Sequence, residues 1–269
     1  MIYAFLTLVI LLLLAISTTI GRRNHPELKR LSLWAYAHRG LHGDGVPENS
    51  LKAFQRAAAG GYGAELDVHL LADGNLAVIH DCSLKRTAGV DVVIEDLTTE
   101  DLENYFLEGT FETIPELSGV LEIFKDTAPL IVELKSSGNN YEALCEAACR
   151  YLDCYEGDYC IESFDPRCVL WFRKHRPNVL RGQLAENYFK TKSCKLPVVL
   201  KFIMANHLSN FLTYPDFIAY RYSDRNTLMT RLCRKVWKVQ GVAWTIKSKK
   251  DFDNATKDGW IPIFENFIP

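Results

Sequence analysis

Four short stretches hold polar residues of the kinds that do chemistry: His38-Arg39-Gly40, Glu65-Leu66-Asp67, His80-Asp81 and Glu133-Leu134-Lys135. Each lies on or beside an apolar run that reads as a strand. Side chains on a strand alternate faces with period two, so Glu65 and Asp67 share one face while Leu66 points to the other, and Glu133 shares a face with Lys135. Carboxylates turned into an apolar interior are costly unless their charge is compensated. A divalent cation supplies that compensation, and three carboxylates suit a hard, oxygen-preferring ion such as Mg²⁺ or Ca²⁺ better than zinc. Glu65, Asp67 and Glu133 are therefore the candidate metal ligands. His38 and His80 add two imidazoles, the side chains best suited to moving protons near neutral pH.

These residues are far apart in the chain and need a frame that gathers them. Strands are expected at 34–37, leading into His38, and at 64–70, 76–79, 129–134, 159–162, 179–184, 217–220, 242–246 and 260–264. Helices are expected at 50–59, stopped by Gly60-Gly61, and at 141–152, 166–175, 225–236 and 248–257. Repeated strand–helix units argue for a parallel sheet. About eight strands in roughly 240 residues argue for a closed (β/α)8 TIM barrel. In such a barrel the carboxyl ends of the strands line the active site, so four strands are expected to deliver His38, Glu65, Asp67, His80 and Glu133 to one rim.

The stretches also match a family. His38-Arg39-Gly40, Pro47-Glu48-Asn49-Ser50, Glu65-Leu66-Asp67-Val68, Asp73-Gly74, His80-Asp81, Leu84-Lys85-Arg86-Thr87, Ile114-Pro115 and Glu133-Leu134-Lys135 occur in this order. Together they resemble the glycerophosphodiester phosphodiesterase family, closely from Ala37 to Lys135 and more loosely beyond. Val242-Ala243-Trp244-Thr245 is similar to that family's late Trp-containing strand. The resemblance implies a barrel with a catalytic histidine pair, His38 and His80. It also implies metal ligands at Glu65, Asp67 and Glu133, and phosphate contacts at Arg39 and Lys135. The implied reaction is metal-dependent hydrolysis of a glycerophosphodiester to glycerol phosphate and an alcohol, through the substrate's own neighbouring hydroxyl and a cyclic phosphate. Elementary chemistry agrees: cationic groups would neutralise the non-bridging oxygens, one histidine would accept the hydroxyl proton, and the other would protonate the leaving oxygen.

Other residues carry competing readings. His25, His42, His69, His175 and His207 stand outside the motifs and read as structural. Asp81 either orients a neighbour or caps a turn, and Glu48 and Asn49 either cap the following helix or enter the site. Trp244 is a core aromatic or a contact to the substrate. Arg231, Arg234, Lys235 and Lys238 form a solvated helix face or touch anionic lipid. The tail departs from the family pattern: Glu265 and Asn266 stand where Thr-Asp is usual, which puts the substrate pocket beside the last strand in question.

Residues 1–20 carry no charged side chain, while Arg22, Arg23, Lys29 and Arg30 follow. That pattern is expected for a single-pass transmembrane anchor over 1–20 and a linker over 21–33, with the barrel domain at 34–269 on the cytoplasmic side of the cell membrane. The eight cysteines include no C-x-x-C pair and read as reduced thiols. A formal net charge of −2 gives no global footprint for nucleic acid. Two alternative functions remain: a lysophospholipase D held near its lipid by the anchor, and an inactive phosphate-binding or scaffolding domain.

Overall fold

The computed structural model describes residues 2–191 and 194–269. Helices α1 (Ile2–Thr18) and α2 (Leu28–Leu31) precede β1 (Tyr36–His38), α3 (Leu51–Ala59), β2 (Gly63–Leu70) and β3 (Leu76–Val78). Short 3₁₀ turns fill 94–109, and α4 (Leu117–Phe124), β4 (Leu130–Leu134), α5 (Tyr141–Leu152), β5 (Tyr159–Ser163), α6 (Pro166–His175) and β6 (Arg181–Ala185) follow. The chain continues through α7 (Val198–Ala205), α8 (Asn210–Thr213), β7 (Phe217–Arg221), α9 (Leu228–Lys235), β8 (Gln240–Ile246), α10 (Lys249–Lys257) and β9 (Trp260–Phe264).

Eight of the strands are parallel neighbours in the order β1, β9, β8, β7, β6, β5, β4, β2, and a β1–β2 pairing closes the ring. The closed barrel expected from the alternation is present. The ninth strand, β3, is not one of its staves. It folds back antiparallel on β2, with Val68 opposite Val78. His80 therefore reaches the rim from a hairpin, and three barrel strands carry the remaining residues rather than four. Period-two patterning does not distinguish a stave from a hairpin arm, because both bury one face.

Two apolar layers hold the barrel. Outside, Phe54, Leu66, Val132, Leu144 and Phe172 pack between sheet and helices. Inside, Tyr36, Ile131, Cys160, Phe217, Val242 and Ile263 form one cluster. Tyr36, Ile131 and Cys160 each sit two residues before His38, Glu133 and Glu162, so this layer is an apolar floor directly beneath the polar rim. Gly63 makes room for it, since a Cβ there would stand 2.7 Å from the Tyr36 ring. Helix starts follow their caps: the Ser50 hydroxyl accepts from the Ala53 N–H, and Thr227 and Ser248 do the same for α9 and α10.

The expectation of a membrane-crossing anchor over 1–20 is not met in this form. Among the described residues no helix is long and apolar enough to cross a membrane. α1 has 17 residues, about 25 Å at ~1.5 Å per residue against a hydrocarbon core of ~30 Å. Its last turn is taken up by the domain. The Trp237 indole donates to the Ile16 carbonyl at 2.9 Å, the Cys233 thiol to that of Thr19, and Thr19 is buried. Residues 21–33 also pack on the barrel, with Arg22 paired to Asp216 and Leu31 buried.

Candidate active site

β1 delivers His38, β2 delivers Glu65 and Asp67, and β4 delivers Glu133. Strand register sets them side by side: His38 is opposite Glu65, and Asp67 is opposite Glu133. One oxygen from each of Glu65, Asp67 and Glu133 lies within 4.8 Å of the others, and all three side chains are buried. This is the cluster the period-two pattern anticipates, and it has the donor set of a divalent-cation site. Its electrostatics ask for a cation. Burial and the neighbouring carboxylates push Glu65 well above the usual carboxylate range, and burial pushes Glu133 to about 7. Burial also works against ionised Asp67, but Lys135, His80, Arg39 and a hydrogen bond from Asn49 hold it well below its ordinary value. Asp67 Oδ1 and Glu133 Oε1 are buried, and their nearest counter-charge is the Lys135 ammonium, 2.9 Å from the first and 2.7 Å from the second. The cluster thus fits a hard divalent ion.

The two histidines share one design. His38 Nδ1 lies 2.9 Å from Glu265 Oε2, and its Nε2 points inward, 3.9 Å from Glu65. His80 Nδ1 lies 2.6 Å from Asp81 Oδ1. Burial lowers both imidazoles from the ordinary histidine value, while Glu265 raises His38, and Asp67 and Asp81 raise His80. Each ring is fixed through one nitrogen by a carboxylate and offers the other to a substrate.

Arg39 follows His38 in the left-handed region at φ 56°, which turns its backbone N–H onto Glu65 Oε2 at 3.1 Å. Gly40 continues the turn at φ 77°, and a Cβ there would lie 2.8 Å from Ala53. The Arg39 guanidinium bonds Glu48 at 2.7 Å and lies 3.4 Å from Asp67. Glu48 also receives Arg86, which holds Asp81 in turn. Asn49, at φ 54°, donates to Asp67 Oδ2 at 2.9 Å. Glu48 and Asn49 are therefore built into the site, and Ser50 alone makes the side-chain cap of α3. Trp244 stands half-buried at the end of β8, edge-on to Phe164 with ring centroids 5.6 Å apart, the Arg221 guanidinium 5.3 Å from its ring centroid.

Some participants carry no motif. Glu162 on β5 is buried opposite Glu133, and burial with Glu133 pushes it well above the carboxylate range. Its place at the end of an expected strand is the available signal. Glu265 is the partner of His38 from 227 residues away. His69 braces the site: Nδ1 meets Glu95 at 2.7 Å and Nε2 meets the His80 carbonyl at 3.1 Å. His25 and His175 bond backbone carbonyls, and His207 is buried beside Thr230. His42 lies close enough to His38 and Glu265 to share an ion with them. The eight cysteines are free thiols. Beside Glu133 and Lys135 opens a cavity of about 540 Å³ walled by Phe164, Tyr188, Leu196, Leu200 and Met204.

The sequence profile of the glycerophosphoryl diester phosphodiesterase family matches residues 38–268. The chain belongs to this family. A glycerophosphodiester phosphodiesterase of Caldanaerobacter subterraneus subsp. tengcongensis is 30% identical over 233 residues, 83% of this chain and 89% of that protein. One of Bacillus altitudinis is 34% identical over 155 residues, and this chain spans 63% of its length. A lysophospholipase D of Rattus norvegicus is 36% identical over 116 residues, 38% of this chain and 36% of that protein. The solved structure of an Oleispira antarctica phosphodiesterase in complex with the product sn-glycerol-3-phosphate shares the fold. Its TM-score is 0.70 at 21% identity, covering 86% of this chain and 92% of that one.

Proposed function

We propose that this family member hydrolyses glycerophosphodiesters to glycerol phosphate and an alcohol, with His38 and His80 as its proton-transfer pair. One observation carries the reading: two imidazoles, each held at Nδ1 by a carboxylate, flank a single buried cluster fit for a divalent cation. Glu65, Asp67 and Glu133 would hold that cation, Mg²⁺ or Ca²⁺, which when bound neutralises charge on the phosphate's non-bridging oxygens. Arg39 and Lys135 place two further positive charges at the same spot, which favours an anionic diester and its more highly charged transition state.

One imidazole accepts at Nε2 the proton of the substrate's neighbouring hydroxyl as that oxygen attacks phosphorus. The other, protonated at Nε2, gives its proton to the departing alcohol oxygen as the P–O bond breaks. Water then opens the cyclic phosphate with the proton roles reversed. Burial keeps both rings below the ordinary histidine value, so a neutral ring is available as base at neutral pH.

Purified protein with Mg²⁺ or Ca²⁺ should release glycerol phosphate from glycerophosphocholine. His38→Ala and His80→Ala should each lower turnover by ~10²–10⁴-fold. Folded, metal-loaded protein that cleaves no diester in a broad panel would overturn the reading.

A second substrate class is favoured by the cavity beside Lys135. Its apolar walls suit the acyl chain of a lysophospholipid better than a small polar alcohol. The related lysophospholipase D points the same way. Comparing rates on lysolipids and on soluble diesters decides between them. An inactive scaffold gains no support, because both histidines keep their orienting carboxylates. We further place the protein at the cytoplasmic face of the cell membrane, held there by the apolar sequence of α1 lying against the bilayer rather than by a span. A reporter fused after Pro269 should then behave as cytoplasmic.

A further inference from the structure

Exposed apolar side chains concentrate in one sector of the barrel, around β6 to β8. On α7, Val198 is 70% exposed, Val199 68% and Phe202 53%. Phe211 and Leu212 on α8 and Leu228 on α9 are exposed beside them. A surface helix of a soluble domain normally turns polar residues outward. α7 has the sequence VVLKFIMA, and its single charge, Lys201, is tied back to the Cys194 carbonyl at 2.8 Å. An exposed apolar face of this kind marks an interaction surface.

The same sector is strongly basic. Residues 190–240 hold ten of the chain's 31 Lys and Arg but only two of its 33 Asp and Glu. Both of those acids are already engaged, Asp216 by Arg22 and Asp224 by Lys190. Arg231, Lys235 and Lys238 are exposed. A chain that is close to neutral as a whole therefore gathers positive charge in the sector that exposes the apolar face of α7.

α1 joins the body in this sector too. Its last turn is held by Trp237 and by Cys233 of α9. A helix without a charged side chain thus departs from beside the basic, apolar face.

We propose that this sector docks on an anionic lipid surface, with α7 lying in the interface. Basic residues around an apolar helical face are the pattern of an interfacial helix, which couples attraction to anionic headgroups with shallow burial of side chains. A protein partner would have no need of an adjoining charge-free helix. Leu200 and Met204 of α7 wall the cavity that reaches Glu133 and Lys135, so docking α7 turns the mouth of the site toward the bilayer. The docking surface is separate from the chemistry, and deepens the lysolipid reading by giving the substrate a route that avoids water.

The test uses the full chain and vesicles of phosphatidylcholine with or without phosphatidylglycerol. Val199→Trp is compared with the parent protein for quenching by acyl-brominated lipid. On anionic vesicles the added tryptophan should lose on the order of half its fluorescence, as expected for a side chain at the headgroup–acyl boundary. Quenching should fall severalfold on phosphatidylcholine alone or in high salt. The triple variant Val198→Asp, Val199→Asp, Phe202→Asp should lose roughly tenfold in turnover of vesicle-borne lysolipid while keeping its turnover of soluble glycerophosphocholine. An added tryptophan that stays unquenched in vesicle-bound Val199→Trp protein overturns the proposal, because α1 alone then holds the protein there. Equal quenching on charged and uncharged vesicles overturns it as well. So does a dimer in solution that Val199→Asp converts to monomer, since a second copy would then cover the face. The soluble-diester assay needs no vesicles, so loss of the catalytic reading and loss of the docking surface give different results.

Discussion

Replacing Glu265 by glutamine keeps the side chain's shape and removes its charge from His38. The bond to His38 holds Glu265 down at about 2, with Lys247 3.3 Å away adding a smaller share. Against an ordinary glutamate value of ~4.3, that is roughly two units, or about 3 kcal/mol between the two ionisation states. Glu265 is partly open to solvent and shared with Lys247, so screening leaves ~1.5 kcal/mol for the pair with His38. The sign follows from the ring. Burial already lowers His38 and Glu265 raises it, so Glu265→Gln moves His38 further down. If His38 is the base, it must be neutral, and the acidic limb of the pH–rate profile moves to lower pH. If it is the acid, it must be protonated, and the alkaline limb moves to lower pH. In both cases the imidazolium loses its stabilising carboxylate, and kcat/KM at the optimum falls roughly tenfold. The assay is kcat/KM for glycerophosphocholine across pH at saturating metal, and the limb that moves names the role of His38. A profile that superimposes on the parent's, with kcat/KM within about twofold, refutes the reasoning.

Three further outcomes are expected. Asp81→Asn should do for His80 what Glu265→Gln does for His38, moving the other limb to lower pH and costing ~10-fold in kcat/KM; movement of the same limb in both variants would be the wrong result. Metal binding should release protons, because burial holds Glu133 at about 7 and Glu65 well above the carboxylate range, and both ligands must be ionised. Apparent affinity should therefore fall by about tenfold or more per unit as pH drops below about 7, and calorimetry in buffers of different ionisation enthalpy should detect the released protons. Lys135→Met should remove the nearest counter-charge of Asp67 and Glu133 and destabilise the metal-free protein by ~3–5 kcal/mol; added Mg²⁺ should recover more melting temperature in this variant than in the parent.

The barrel is legible where local chemistry decides structure. Ser50 caps α3, Gly60-Gly61 stops it, and Glu65, Leu66 and Asp67 alternate faces as period two demands. The carboxylate cluster follows from that alternation, because side chains on one face of neighbouring strands have nowhere else to go. What escapes depends on pairing between distant segments. Whether 76–78 is a stave or a hairpin arm is settled by the neighbour it bonds, and its apolar pattern suits both. Glu265 reads as a departure from the family ending, and only the closure of β1 on β9 shows it carrying the hydrogen bond to His38. Glu162 stands at the end of a recognised strand, and that place is its one local signal, because no motif residue neighbours it. α1 ends where Thr19 is buried and its carbonyl is bonded from α9, a tertiary effect that hydropathy does not register.

The β1–β9 closure also has a consequence in time. His38 is translated early, and the carboxylate that fixes its ring is translated 227 residues later. While the ribosome is still working, the carboxylates of β2 and β4 are already synthesised, yet the imidazole beside them has no partner to fix its tautomer. Of the barrel strands, the last to emerge is thus the one that both seals the ring and fixes the His38 ring. A fixed His38 ring in a newly made chain therefore reports that the barrel has closed.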